Sequence, residues 1–274
     1  ALRLHQAGHQ VHAWNRTQSK ADPLAALGIA VHATVAEAVR QADIVVSLLE
    51  NGPAVEHVLF HAGAAQAMRP GTLFIDMASI QPREARDHAA RLGEMGLAHL
   101  DAPVSGGTVG AENGTLAIMA GGRAEDFARA QPVFAALGRA THVGPHGSGQ
   151  LAKLANQMIV GITIGAVAEA LLFAAKGGAD MARVREAIQG GFADSRILQL
   201  HGQRMVDRDF APKARMGVQL KDMRNALGTA KEIGFDAPVT SLFEALYAEG
   251  VEHGLGELDH SGLFVELASR NAMQ

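Results

Sequence analysis

The chain has 274 residues, which is long enough for two domains. Hydrophobic residues make up 48% and charged residues 19%, the balance of a folded globular protein rather than a disordered one. A net charge of −4 leaves no basic footprint for nucleic acid, and the absence of cysteine excludes disulfides, thiolate metal sites and cysteine nucleophiles.

The chain opens on Ala1-Leu-Arg-Leu-His-Gln-Ala-Gly8, which reads as the end of an amphipathic helix closed by a glycine. Residues 10–14 then alternate like a strand. A dinucleotide fold begins earlier, with a strand and a G-x-G-x-x-G turn, so the expectation is roughly 20 residues ahead of Ala1. A targeting peptide is therefore left open. Further strand patterns follow at 44–48, 73–76, 98–102, 115–120 and 140–143. Helical patterns lie between them at 20–27, 35–41, 54–59, 82–95 and 124–137. This alternation predicts a parallel α/β sheet with right-handed crossovers. Pro53, Pro82 and Pro132 are read as lying at or near helix starts, where a missing N–H costs little.

After Gly144-Pro-His-Gly-Ser-Gly149 the strand pattern stops. Residues 150–176 read as one helix, about 40 Å long at 1.5 Å per residue, able to run from one domain into the next. No apolar run reaches transmembrane length uninterrupted; 158–175 carries Glu169 and two glycines and reads as a buried helix. Helices at 181–188, 196–205, 218–233, 238–249 and 261–268 complete the chain. The expected architecture is a Rossmann-type doubly wound α/β domain over 1–145, lacking its first strand, and an all-α C-terminal domain over 146–274.

The residue ending the second strand of a dinucleotide fold chooses the cofactor. An acid there accepts from the ribose hydroxyls of NAD, whereas the extra phosphate of NADP needs a cation. Here Asn15-Arg16-Thr17 supplies an Arg and no acid, so NADP(H) is preferred and NAD(H) is possible. The plainer alternative is a solvated turn arginine. Ser105-Gly106-Gly107 follows a strand's carboxyl end, where glycine amides and a hydroxyl suit a carboxylate. Lys153 and Asn156 are three apart on a helix and share a face. His9/His12 and His142/His146 have no third ligand completing a metal site, so no metal is expected. No G-x-S-x-G nucleophile elbow is present.

Asp101-Ala-Pro-Val-Ser-Gly-Gly-Thr108 and Gly149-Gln-Leu-Ala-Lys-Leu-Ala-Asn156, in this order, resemble the β-hydroxyacid dehydrogenase family, which includes 3-hydroxyisobutyrate dehydrogenases and semialdehyde reductases. The resemblance runs through nearly the whole chain. It implies an NADP(H)-dependent oxidoreductase interconverting a small β-hydroxy acid and its semialdehyde or oxo acid. It implies Lys153 as general acid/base, Ser105, Gly106 and Gly107 on the substrate carboxylate, and Asn156 and Asp222 orienting groups in the site. For the cofactor it implies Leu49, from Ser47-Leu-Leu-Glu-Asn-Gly-Pro53, Ser79, from Ile75-Asp-Met-Ala-Ser79, and Lys221 beside Asp222. The plainer readings are a core position for Leu49, a helix cap for Ser79 and a surface charge pair for Lys221–Asp222.

Two departures stand out. Glu50 occupies a position where the family usually has Pro, and Ala214 stands seven residues before Lys221 where semialdehyde reductases often have Phe. The resemblance further implies a cytoplasmic homodimer or homotetramer with a small carboxylate substrate and neither nucleic-acid nor membrane partners. The rival reading is a non-catalytic dinucleotide-binding or interaction module, or an inactive truncated fragment; the retained Lys153 argues against it.

Overall fold

A computed structural model describes residues 1–273. The chain divides into two compact units, the first ending at Lys153 and the second beginning at Leu154.

The first unit opens with α1 (Leu2–Gln6), closed by Gly8 at φ +89°. The short strands β1 (His12–Ala13) and β2 (Ala30–Val31) pair in parallel as a sheet of their own. Between them, where a helix is expected over 20–27, the chain forms two 3₁₀ segments, Gln18–Lys20 and Asp22–Leu27. No residue of either segment is buried, so no packing rewards a full α-helix, and Pro23 at the start of the second limits its donors.

α2 (Val35–Val39) starts with a complete capping box between Thr34 and Glu37. β3 (Ile44–Ser47) follows, then α3 (Gly52–Glu56), capped by Asn51 and continued as a π-turn over His57–His61. After α4 (Ala64–Ala67) come β4 (Leu73–Asp76), α5 (Pro82–Glu94), β5 (Ala98–Asp101), β6 (Val104–Ser105) and α6 (Gly107–Asn113). The unit then adds β7 (Leu116–Gly122), α7 (Ala124–Leu137) and β8 (Gly138–Gly144).

These strands form a six-stranded sheet in the order β3-β4-β5-β7-β6, with β8 on the other side of β7. β3, β4 and β5 run parallel, as expected, but β7 is antiparallel to both β5 and β6. The sheet is therefore mixed. The chain between β5 and β7 carries only the seven-residue α6, too short to return it to the far end of the sheet. Pro132 lies inside α7 rather than near its start, a correction to the expected placement. β4 is buried on both faces. Phe74 faces a core with Val55, Leu59 and Leu92, while Leu73 and Ile75 face one with Leu100, Ile118 and Phe134.

α8 (Ser148–Lys176) begins in the first unit and supplies the first helix of the second. By length and composition it could cross a membrane, although Glu169 and two glycines interrupt its apolar run as expected. Its apolar residues are nevertheless used in a core: Ile164, Ala168, Leu171 and Leu172 pack with Met205, Tyr247 and Phe264. The other helices are α9 (Met181–Ile188), α10 (Arg196–Asp207), α11 (Met216–Glu232), α12 (Pro238–Gly250) and α13 (Leu263–Arg270). Asp180 and Ser195 cap α9 and α10 through their side chains. Gly165 lets α8 approach Phe243 of α12, where an added Cβ would lie 2.0 Å from the ring.

Candidate active site

Parallel register sets Ser47, Asp76 and Asp101 side by side at the carboxyl ends of β3, β4 and β5. This is where ligands bind in open α/β sheets. All three are buried. Asp76 Oδ1 accepts from the Ala78 N–H at 3.0 Å, whereas its Oδ2 and the Ser47 Oγ make no hydrogen bond. Burial pushes the Asp76 carboxyl up to about 7, with the Asp101 charge adding to the rise.

Asp101 fixes the start of α8. Its Oδ1 accepts from the Gly147 N–H at 2.8 Å and its Oδ2 from the Gln150 N–H at 2.9 Å. These are donors that a helix start leaves without intrahelical partners. Burial raises Asp101 to about 6 although the backbone N–H groups pull it down. Gln150, fully buried, then reaches back to the loop after β4. Its Oε1 accepts from the Ile80 N–H at 3.0 Å and its Nε2 donates to the Ala78 carbonyl at 2.8 Å. Ser79 is thus held between two residues clamped by Gln150, and Lys153, half-buried, follows Gln150 by one turn. Ser79 does not cap α5; a Gln81–Glu84 capping box does. Asp101 as an anchor and Gln150 as a clamp were not singled out from the sequence. The signal was present, since both stand inside the motifs quoted for Ser105 and Lys153.

Ser105 sits on β6 opposite Ala117. Gly106 and Gly107 follow at φ +136° and +63°, both exposed, leaving their backbone open to an anion. Asn113 ends α6, with Gly114 at φ +66° as its left-handed cap.

At the cofactor end, Asn15 Oδ1 accepts from the Thr17 N–H at 2.9 Å in a tight exposed turn that carries Arg16. No acid stands at 14–17. Beyond β3, Leu48 is 68% exposed while Leu49 packs on the core. An exposed apolar side chain, an unpartnered buried hydroxyl at Ser47 and a cation after β1 are a donor set that fits a dinucleotide.

In the second unit the expected residues form one polar network. Gln157 Nε2 donates to Asp222 Oδ2 at 2.8 Å, and Asn156 Nδ2 donates to Gln157 Oε1 at 2.8 Å. Gln219, buried, donates to the Gln157 carbonyl at 3.0 Å. Lys221 Nζ lies 3.1 Å from Asp222 Oδ1. Asp222 is itself buried, so this is not the surface charge pair of the plainer reading.

Residues 1–144 match the family described as the NAD binding domain of 6-phosphogluconate dehydrogenase. Residues 147–267 match the one described as NAD-binding of NADP-dependent 3-hydroxyisobutyrate dehydrogenase. The 2-hydroxy-3-oxopropionate reductase of Escherichia coli (strain K12) is 43% identical over 265 residues, covering 96% of this chain and 90% of that protein. The chain belongs to the β-hydroxyacid dehydrogenase family. It is an NAD(P)-dependent oxidoreductase acting on the CH–OH group of small hydroxy acids.

Two further members show the breadth of the likeness. The NAD-dependent L-serine dehydrogenase of Pseudomonas aeruginosa is 33% identical over 273 residues, covering 95% of this chain and 91% of that one. The Mycobacterium tuberculosis 3-hydroxyisobutyrate dehydrogenase structure with L-serine superposes with a TM-score of 0.89 at 32% identity, covering 97% of this chain and 93% of that one.

Proposed function

We propose that this β-hydroxyacid dehydrogenase prefers NADP(H) and interconverts a small β-hydroxy acid with its semialdehyde or oxo acid, with Lys153 as general acid/base. The observation that carries the reading is the double role of the segment that ends β5 and runs into β6. Asp101 holds the helix start that presents Lys153, and the same segment continues into Ser105-Gly106-Gly107.

A nicotinamide cofactor, when bound, would supply the hydride for reduction of the substrate carbon and accept it in the reverse direction. As charge grows on the carbonyl oxygen, the Lys153 ammonium stabilises it and donates its proton. In the reverse direction neutral Lys153 takes the alcohol proton. The Ser105 hydroxyl and the Gly106 and Gly107 N–H groups hold the substrate carboxylate. In the second unit, Asn156 and Asp222 are assigned to substrate and Lys221 to cofactor, kept in place by Gln157 and Gln219. Arg16, with Asn15 and Thr17, receives the extra phosphate of NADP; Leu49 and Ser79 are assigned to the cofactor by family resemblance. The name of the 43%-identical relative makes 2-hydroxy-3-oxopropionate the first substrate to try. The exposed apolar side chains of the second unit, Phe173 and Ile159 among them, support a homodimer or homotetramer.

The test is NADPH and NADH oxidation against 2-hydroxy-3-oxopropionate, glyoxylate, succinic semialdehyde and methylmalonate semialdehyde. Turnover should be faster with NADPH. Lys153→Ala should lower kcat by roughly 10²- to 10⁴-fold, the usual worth of a general acid, with cofactor affinity unchanged. Retained turnover, or equal loss of cofactor binding, would remove Lys153 from this role.

A further inference from the structure

We propose that His99, Asp101 and His146 form a binding site for a divalent transition-metal ion, with zinc as the ion that fits. His99 and Asp101 are two apart on β5 and so point to the same side of the strand. His146 comes from the turn between β8 and α8. One ligand atom from each lies within 4.8 Å of the other two. The sequence reading weighed the pairs 9/12 and 142/146, because a strand and a distant turn are not neighbours in the chain.

The second observation is an unsatisfied side chain. His99 is 2% exposed, and neither its Nδ1 nor its Nε2 makes a hydrogen bond. The His146 Nδ1 is likewise buried and unpartnered. Leaving such groups unmade costs folding free energy, and native interiors rarely tolerate it. Metal coordination by the imidazoles would remove that cost. The rings are held for it: His99 stacks on Phe74 at 6.1 Å and its centroid lies 5.6 Å from that of His146.

Asp101 keeps coordinating capacity. The backbone N–H groups of Gly147, Gln150 and Gly149 orient the carboxylate, whose two oxygens together offer about four lone-pair sites. A cavity of about 530 Å³ reaches His99 and His146 beside Arg123, Asp126 and Arg129. It offers an entry path and room for a solvent ligand to complete a three-residue site. Two imidazoles and one carboxylate select zinc over magnesium or calcium, which take oxygen ligands. Gly71 and Gly96, which precede β4 and β5, also line the cavity, placing it toward the amino ends of these strands. The ion would tie β5 to the turn that starts α8, a structural role that needs no turnover.

The test uses the chelator-treated 274-residue chain, titrated with Zn²⁺ by calorimetry and with Co²⁺ by visible absorption. The expected result is one ion per chain, a tetrahedral Co²⁺ spectrum and a zinc-dependent rise in melting temperature. His99→Phe, which keeps a ring on Phe74, and His146→Ala in the turn should each weaken binding by roughly 100-fold or more, since even outer-shell losses cost 10- to 100-fold. Circular dichroism confirms that each variant is folded, and one folded variant suffices. No stoichiometric binding overturns the proposal. So does binding that survives in a folded variant, which would place the ion on other histidines such as the stacked His12–His32 pair. Neither outcome depends on Lys153, so the assigned reaction and this site stand or fall separately.

Discussion

Two buried side chains, one on α8 and one at the end of β4, set how the site responds to change. Gln150→Ala removes two hydrogen bonds and strands the Ile80 N–H and the Ala78 carbonyl in a buried place. A stability loss of about 2–4 kcal/mol should follow in denaturant melts. Turnover should fall even at temperatures where the variant is folded, because Ser79 and the turn before Lys153 lose their clamp. Normal kcat in the folded variant would make Gln150 purely structural. Asp76 gives a pH signature. Its folded pKa is raised from 3.8 to about 7 by burial, so the folded chain holds a proton that the unfolded chain releases. Stability from this group is therefore full below about pH 4 and declines as pH rises to about 7. In Asp76→Asn that decline should flatten, giving a higher melting temperature than wild type at pH 8 and a shrinking gap toward pH 5. Parallel curves for the two proteins would show that Asp76 is not the source.

Elements were legible where their periodicity was strong and their burial deep. β4, α5 and α7 lie where the pattern put them, because buried strands and amphipathic helices write their packing into the sequence. The segments 18–27 and 57–61 were not legible. Their 3₁₀ and π geometry depends on exposure and on a helix merging with its neighbour, which residue pattern alone does not encode. β6 and α6 were missed because Ser105-Gly106-Gly107 reads as a turn and the seven residues after it lack an apolar stripe. Close approach between elements is equally invisible before the fold is known. Gly149 is one such case: a Cβ there would lie 2.3 Å from the Asp101 carbonyl oxygen and 2.4 Å from that of Met119. Gly149→Ala must push the start of α8 off the sheet, and thermal denaturation should show a loss of about 3 kcal/mol or more. Gly228→Ala on α11, with nothing within 4 Å of the added carbon, is the control and should be neutral or mildly stabilising.

At the scale of the molecule, each unit has its own apolar core, and cofactor binding acts as a stabiliser of the folded chain. A dinucleotide at 100 times its Kd adds about 2.7 kcal/mol to folding stability. Arg16 with no acid at 14–17 predicts a larger melting-temperature rise with NADPH than with NADH at equal concentration. Arg16→Ala should erase most of that difference while leaving the NADH response in place. A larger rise with NADH in the wild-type chain would reverse the cofactor assignment without reference to any substrate. The candidate site was legible in its motif residues because they are contiguous, but its supports were not. Asp101 reaches Gly147 across 46 positions and Gln157 reaches Asp222 across 65, distances that only the fold closes.

The two glycines after Ser105 carry a consequence for how such enzymes diversify. Gly107 has open space where a Cβ would go, yet its φ of +63° is a handedness that L side chains rarely adopt, and Gly106 at +136° is barred in the same way. Mutation can therefore not decorate the loop proposed to hold the substrate carboxylate, even though it is exposed. Variation is free only just beyond it, at Thr108 and Val109, which are exposed on α6. If the loop holds the carboxylate as proposed, a lineage built on it can change which tail its substrate carries while the acid end stays where it was.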